Sequence, residues 1–235
     1  RVDSFKFTEK NGKFVNRVEV ALSTLDATGK SRPSQRHVVT MDMTPQTFAI
    51  ARERGFRVLS ELALPPGRYQ LRVSAAEEQT NRSGSVFYDV EVPDFQKGEL
   101  LMSGIALASA AASGLPTVRP SDPLQKMLPG PATAIRDFAR NDQIALFAEV
   151  YENRPGAPPH AIELVTTLRA EDGRVVFENR EQRSSADLQG GTGGYGYGAR
   201  IPLADFAPGV YVAHLEARSV GGTSVAGRDV LIRVR

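Results

Sequence analysis

Two stretches of this sequence recur later in the chain, in the same order and at nearly the same distance. VEVALSTLDATGK (18–30) aligns with IELVTTLRAEDGR (162–174) at an offset of 144, and LPPGRYQLRV (64–73) aligns with FAPGVYVAHL (206–215) at an offset of 142. In the first pair apolar residues coincide at 18/162 and 20/164, Glu19 meets Glu163, and Gly29 meets Gly173. In the second, each Pro-Gly-x-Tyr leads into an alternating strand, a polar hairpin loop and a last strand, SVFYDVEV or RDVLIRV. Such repetition means tandem copies of one structural unit, so the fold of one copy constrains the fold of the other.

The copies read as strands. Val18, Val20, Leu22 and Thr24 alternate before a Gly-containing turn, and RHVVTMDMT, FRVLSELAL, RYQLRVSA and SVFYDVEV follow, each short, period-two and bounded by turn residues. Without helices between successive strands, this spacing indicates antiparallel sandwiches rather than a parallel βαβ sheet. One helix is expected inside the first copy, TPQTFAIARERG (44–55): Thr44 suits the N-cap, Pro45 the first helical position and Gly55 the position just past the end. The fold class is therefore all-β, two tandem immunoglobulin or fibronectin III-like sandwiches over residues 1–95 and 96–235, with a short helix in the first. Tyr69 and Tyr211 stand where such sandwiches place a tyrosine corner, the phenol bonding back to the backbone at the start of the penultimate strand.

Between the copies, VPDFQKGEL (92–100) ends the first domain, and PTVRPSDPLQKMLPGP (116–131) carries five prolines. Proline at that density suppresses regular structure, so this segment reads as an extended excursion over the surface of the second domain. GELLMSGIALAS (98–109) and QIALFAEVYEN (143–153) read as strands of that domain.

Composition removes whole classes of function. Hydrophobic residues make up 41% and charged residues 24%, which supports packed cores and argues against disorder. Lys and Arg total 29 against 27 Asp and Glu, and the arginines are scattered, so no basic patch marks a nucleic-acid or lipid surface. Cysteine is absent, which excludes disulfides and thiolate metal sites. The longest apolar segment, LLMSGIALASAAASGL (100–115), is broken by two glycines and several serines, and no membrane insertion is expected. Arg1 opens the chain without Met or an apolar leader, which reads as an excised piece of something longer.

ALPPGRYQLRVSAAEEQTNRSGSVFYDVEVPDF (63–95), followed by LLMSGIALAS (100–109), and then FARNDQIALFAEVYEN (138–153) resemble the C-terminal region of bacterial secreted proteins with a von Willebrand factor A-related domain, known mostly from Acidobacteria. The resemblance covers most of residues 15–235 through short patches. It implies tandem immunoglobulin-like modules on an exported protein, placed after a metal-binding A domain. The A domain itself is absent from this chain, because its metal site needs Asp-x-Ser-x-Ser. NRSGS (81–85) has Asn81 and Arg82 where the aspartate would stand.

Four strings suggest chemistry. GTGGYG (191–196) has the spacing of a dinucleotide-binding turn, but a strand and a Pro-Gly corner follow it where a helix is required, so it reads as a loop. ARSVG (217–221) approximates a nucleophile elbow around Ser219, yet it falls at a hairpin rather than a strand-to-helix turn. His37, His160 and His214 show no metal-ligand spacing. Glu77–Glu78 opens the first hairpin loop, and Glu171–Asp172 lies in a tight turn; neither has the spacing of a calcium loop. No cofactor is implied.

The leading expectation is a non-catalytic, extracytoplasmic pair of domains serving as a spacer or protein-interaction region, with partners on the cell envelope docking on the hairpin loops (77–84, 219–226) or adding a strand to a sheet edge. The chain reads as a monomer and not as an enzyme. The alternative is a carbohydrate- or calcium-binding module using the Gly/Tyr-rich loop 190–198, in which Tyr195 and Tyr197 would share one side as a stacking pair. A pilus chaperone, whose subunit strand would run along SVFYDVEVPDF, is a further reading.

Overall fold

A computed structural model describes residues 2, 5–118, 124, 126–154, 158–188 and 195–235, without the side chains of 188 and 195. The chain forms two compact units. The first comprises Arg1–Asp94 together with Leu115–Ser121, and the second Phe95–Gly114 together with Asp122–Arg235.

In chain order the elements are β1 (Thr8–Lys10), β2 (Lys13–Asp26), β3 (Ser31–Met43), α1 (Pro45–Arg54), β4 (Arg57–Val58), β5 (Gly67–Glu77), β6 (Ser83–Val92), β7 (Leu100–Met102), β8 (Ala106–Ser109), α2 (Ala110–Ser113), β9 (Thr117–Val118), β10 (Asp137–Phe138), β11 (Gln143–Glu152), β12 (Ala161–Ala170), β13 (Val175–Ser184), β14 (Tyr195–Pro202), β15 (Gly209–Ser219) and β16 (Val225–Val234). The fold class is all-β and sandwich-like, with strands antiparallel except for two short parallel pairs.

The repeat read from the sequence appears as one sheet built twice. In the first unit β2 lies between β3 and β5, with β6 beyond β5; in the second β12 lies between β13 and β15, with β16 beyond β15. The registers coincide. Asp26 pairs with Tyr69 and Val18 with Glu77, while Ala170 pairs with Tyr211 and Ile162 with Ser219. Tyr69 pairs with Val90, and Tyr211 with Ile232. Both first turns close alike, Gly29 donating to the Asp26 carbonyl and Gly173 to the Ala170 carbonyl, each at 2.9 Å. Both glycines sit at positive φ, 78° and 81°, which L side chains rarely adopt.

What covers these sheets differs. In the second unit a second sheet, β14–β11 with β7 and β8 on the far side of β11, packs face to face with the first. The core draws on both layers, with Ile144, Leu146, Val150 and Ile201 from one and Ile162, Leu164, Leu168, Leu215 and Ile232 from the other. In the first unit the cover is thinner: α1, the segment bearing Phe5 and Phe7, and the parallel β4–β9 pair. They pack around Val18, Val20, Val39, Met41 and Met43 through Phe48, Phe56, Val58 and Val118.

Helix α1 starts and stops where its residues dictate. Thr44 caps it by accepting from the Thr47 amide at 3.2 Å, Pro45 occupies the first turn, and Gly55 at φ 89° donates back to the Ala51 carbonyl at 2.8 Å.

The proline-rich segment departs from the expected surface excursion. Thr117–Val118 joins the first unit by pairing with Arg57–Val58. Further on, the Leu128 side chain is buried against Ala108, Ala145 and Phe147. Proline denies a segment ladder hydrogen bonds but does not stop a leucine between prolines from filling a gap. Residues 119–123 and 125 of the excursion lie outside the described part.

Candidate functional site

The β5–β6 hairpin is where the first unit departs most from the second. Glu77 N–H donates to the Arg82 carbonyl at 2.8 Å at the hairpin end. Antiparallel ladders alternate, so even-numbered β6 residues bond to β5. The amides and carbonyls of Ser83, Ser85, Phe87, Asp89 and Glu91 then point to the open edge, since among the described residues β6 pairs with β5 alone. The register puts Val86 beside Val73 and Tyr88 beside Leu71 on the face that carries the core. On the other face Phe87 lies beside Arg72, whose guanidinium stands 5.4 Å from the ring centroid.

Val86, Phe87 and Tyr88 are 64%, 60% and 70% exposed. The equivalent strand positions of the second unit are Arg228, Asp229 and Val230, and its β15 residues Ala213, Leu215 and Ala217 are buried where Leu71, Val73 and Ala75 are only partly so. The cause is the missing second sheet. Phe5, Val73, Ala75 and Val86 line an open groove on this face.

Beneath the hairpin, where an exposed loop residue is expected, sits a buried carboxylate. Glu77 is 1% exposed and accepts from Lys6 N–H at 2.5 Å, from Asn16 Nδ2 at 2.7 Å and from the Thr80 hydroxyl. Burial alone would raise its pKa. The three hydrogen bonds, with the Arg82 charge, outweigh burial and hold it below the usual carboxylate value. The signal was present in the strand phase, since Tyr69, Leu71, Val73, Ala75 and Glu77 share one face of β5, as Asn16, Val18 and Val20 do on β2.

Both corner tyrosines are buried and donate to the carbonyl four residues back, Tyr69 to Pro65 at 2.8 Å and Tyr211 to Ala207 at 2.7 Å. These hydrogen bonds tie the Pro-Gly turn to the strand that follows it.

Tyr197, one of the two expected stacking residues of the Gly/Tyr-rich loop, does not stand on an exposed platform. Tyr197 is 2% exposed in the core of the second unit, its hydroxyl 3.2 Å from Thr166 Oγ1 and 3.1 Å from Asn179 Nδ2. Period-two alternation in β14 sends it inward between the sheets, so it offers no face to a sugar. Tyr195 begins β14 opposite Val150, and its side chain lies outside the described part, as do residues 189–194. Gly196 has a local reason: a Cβ there would stand 2.5 Å from the Phe147 ring.

The remaining candidates are not gathered into one site. Ser219 ends β15 facing the core, opposite Ile162. His37 Nε2 lies 2.8 Å from Ser60 Oγ, His160 Nε2 3.0 Å from the buried Glu152 carboxylate, and His214 Nδ1 2.6 Å from Asp229. Asp172 accepts from the Arg174 amide in its turn. Among the described residues, no group of three or more His, Asp or Glu is placed to hold a metal ion. Among them too, no helix is long and apolar enough to cross a membrane.

No family model matches the chain, and no curated protein matches it. Solved structures with a low likeness include a calcium-binding mutant of Bacteroides uniformis beta-glucuronidase 2 (11% identity, 92% of this chain and 24% of that one, TM-score 0.37). Parabacteroides merdae beta-glucuronidase (11%, 98% and 27%, 0.33) and dimeric latent PorU from Porphyromonas gingivalis (11%, 98% and 19%, 0.30) are others. The chain spans about a quarter or less of each of these, and likeness of this size identifies neither a family nor an activity.

Proposed function

We propose that this chain is a non-catalytic tandem β-sandwich module of a larger exported bacterial protein, and that it acts by protein–protein interaction. The observation that carries the reading is the β6 edge, a strand with no second partner among the described residues, with Val86, Phe87 and Tyr88 exposed and outward-pointing backbone groups on alternate residues from Ser83 to Glu91. Exposed apolar strand edges are sites of strand addition. The resemblance of residues 63–95, 100–109 and 138–153 to modules that follow a von Willebrand factor A-related domain supports a place outside the cytoplasm. His37, His214 and Asp172 are each held in local hydrogen bonds, to Ser60, Asp229 and the Arg174 amide.

The test is capture from a bacterial envelope fraction with residues 1–235 as bait, beside a Phe87→Lys/Tyr88→Lys variant. Specific retention by the wild type and its loss in the variant is the expected result. Equal retention by both moves the site away from β6. A fold-intact wild-type bait that retains nothing and does not bind itself refutes the interaction reading.

A further inference from the structure

Among the described residues the other long edges are protected, and the contrast singles out β6. Strand β3 carries Pro33, its Gln35 amide reaches the Glu61 carbonyl, and His37 meets Ser60. Strand β13 is lined with charge, including Glu178–Arg180 at 2.7 Å and the Arg183–Glu181 pair. Strand β16 is partly covered by β10 and bears Arg228, Asp229 and Arg233. Strand β14 carries Arg200 and ends on Pro202, while β7, β8 and β10 are four residues or shorter. Strand β6 runs 10 residues without proline, lysine or arginine, and its acidic residues, Asp89 and Glu91, are confined to one end. Proteins blunt edges that must not pair.

We propose that the β6 edge pairs with β6 of a second copy of this chain, antiparallel about a two-fold axis through Phe87, which joins the two first-unit sheets into one. The proposal rests on the interaction reading and names its partner. The strand is complementary to itself. Residues whose backbone points outward are odd-numbered, so bonded partners across the seam must both be odd. Placing Phe87 opposite Phe87 pairs the strand along its length: Ser85 faces Asp89 and Ser83 faces Glu91 of the other copy. Each acidic residue thus meets a serine, and like charges lie at opposite ends of the seam. Shifting the register by two residues puts Asp89 opposite Phe87, or leaves Glu91 without a partner. On the core-bearing face, the same register sets Val86 against Tyr88 of the second copy. The rows Val73–Val86 and Leu71–Tyr88 then continue across the seam as apolar rows. On the other face the two Phe87 rings meet, each backed by its own Arg72. The expected monomer gives way to a concentration-dependent dimer.

The chain has no cysteine, which makes the register directly readable. Bonded antiparallel partners stand with Cα atoms about 5.5 Å apart, inside the range a disulfide spans. Under mild oxidation Phe87→Cys should cross-link to itself. Ser85→Cys should not, but an equimolar mixture of Ser85→Cys and Asp89→Cys should give the mixed dimer while keeping Phe87 in place. Ser85→Pro removes an outward donor and no bond to β5, so the fold survives, as circular dichroism and calorimetry will show. It should weaken self-association in sedimentation velocity by about ten-fold or more, two seam bonds being lost by symmetry. A wild-type chain that stays monomeric across the concentration series, or a dimer indifferent to Ser85→Pro or cross-linking in another register, overturns the proposal. A monomer that still captures an envelope protein through β6 overturns the second copy as partner and leaves the interaction reading standing. A monomer that captures nothing sinks both.

Discussion

Replacing Glu77 with alanine removes the acceptor for three donors at once, the Lys6 amide, the Asn16 side chain and the Thr80 hydroxyl. A buried donor left unpaired costs about 1–3 kcal/mol. Asn16 keeps its bond to the Lys6 carbonyl at 2.9 Å, and the half-buried Thr80 finds water, so the sum is about 2–4 kcal/mol rather than three full penalties. In a unit of this size that is a fall of about 10–20 °C in the melting temperature of the first unit. Calorimetry on the whole chain reads it as a shift of one transition with the other in place. The pH dependence gives a second check. A carboxylate whose pKa is depressed by folding stabilises the native state above its unfolded pKa, and loses that contribution as the pH falls through the folded value. The gap between wild type and Glu77→Gln should therefore be widest near neutrality and close below about pH 4. A gap unchanged from neutrality into that acid range, or an alanine variant within about 0.5 kcal/mol of wild type, refutes the account.

Tyr69→Phe and Tyr211→Phe should each cost about 0.5–1.5 kcal/mol in urea denaturation. Because the two corners lie in different units, the double variant should lose their sum. Gly196→Ala drives a methyl group into the Phe147 ring and should cost about 1–3 kcal/mol; Phe147→Leu in the same chain should recover part of that loss, which a mere propensity effect at Gly196 would not permit.

The sheet that is built twice was legible because its determinants are local. A Pro-Gly-x-Tyr corner, a turn closed by Gly29 or Gly173 and a period-two strand each write themselves into a few adjacent residues, and together they set strand order and register. Thr44, Pro45 and Gly55 marked α1 for the same reason. Glu77 is hard to read because beside Glu78 it looks like half of a charged loop pair, although strand phase assigns the two to opposite faces. The glycine neighbours of Tyr197 suggest a surface loop, whereas β14 starts early enough to carry it into the core.

Coverage was not legible, because whether a strand's face is buried depends on the layer opposite it, and that layer is not repeated. Val86, Phe87 and Tyr88 look from the sequence like any half-buried strand, and their counterparts at 228–230 align with them. Only the structure shows which of the two strands is left uncovered. In the second unit a sheet anchored on β11 closes over β15, while in the first a ten-residue helix, two phenylalanines and a two-stranded ribbon close over β2 and β3 and stop short of β6. An identical sheet with a smaller cover must expose its last strand. That places the apolar residues of β6 where burial cannot account for them, and contact with a partner can.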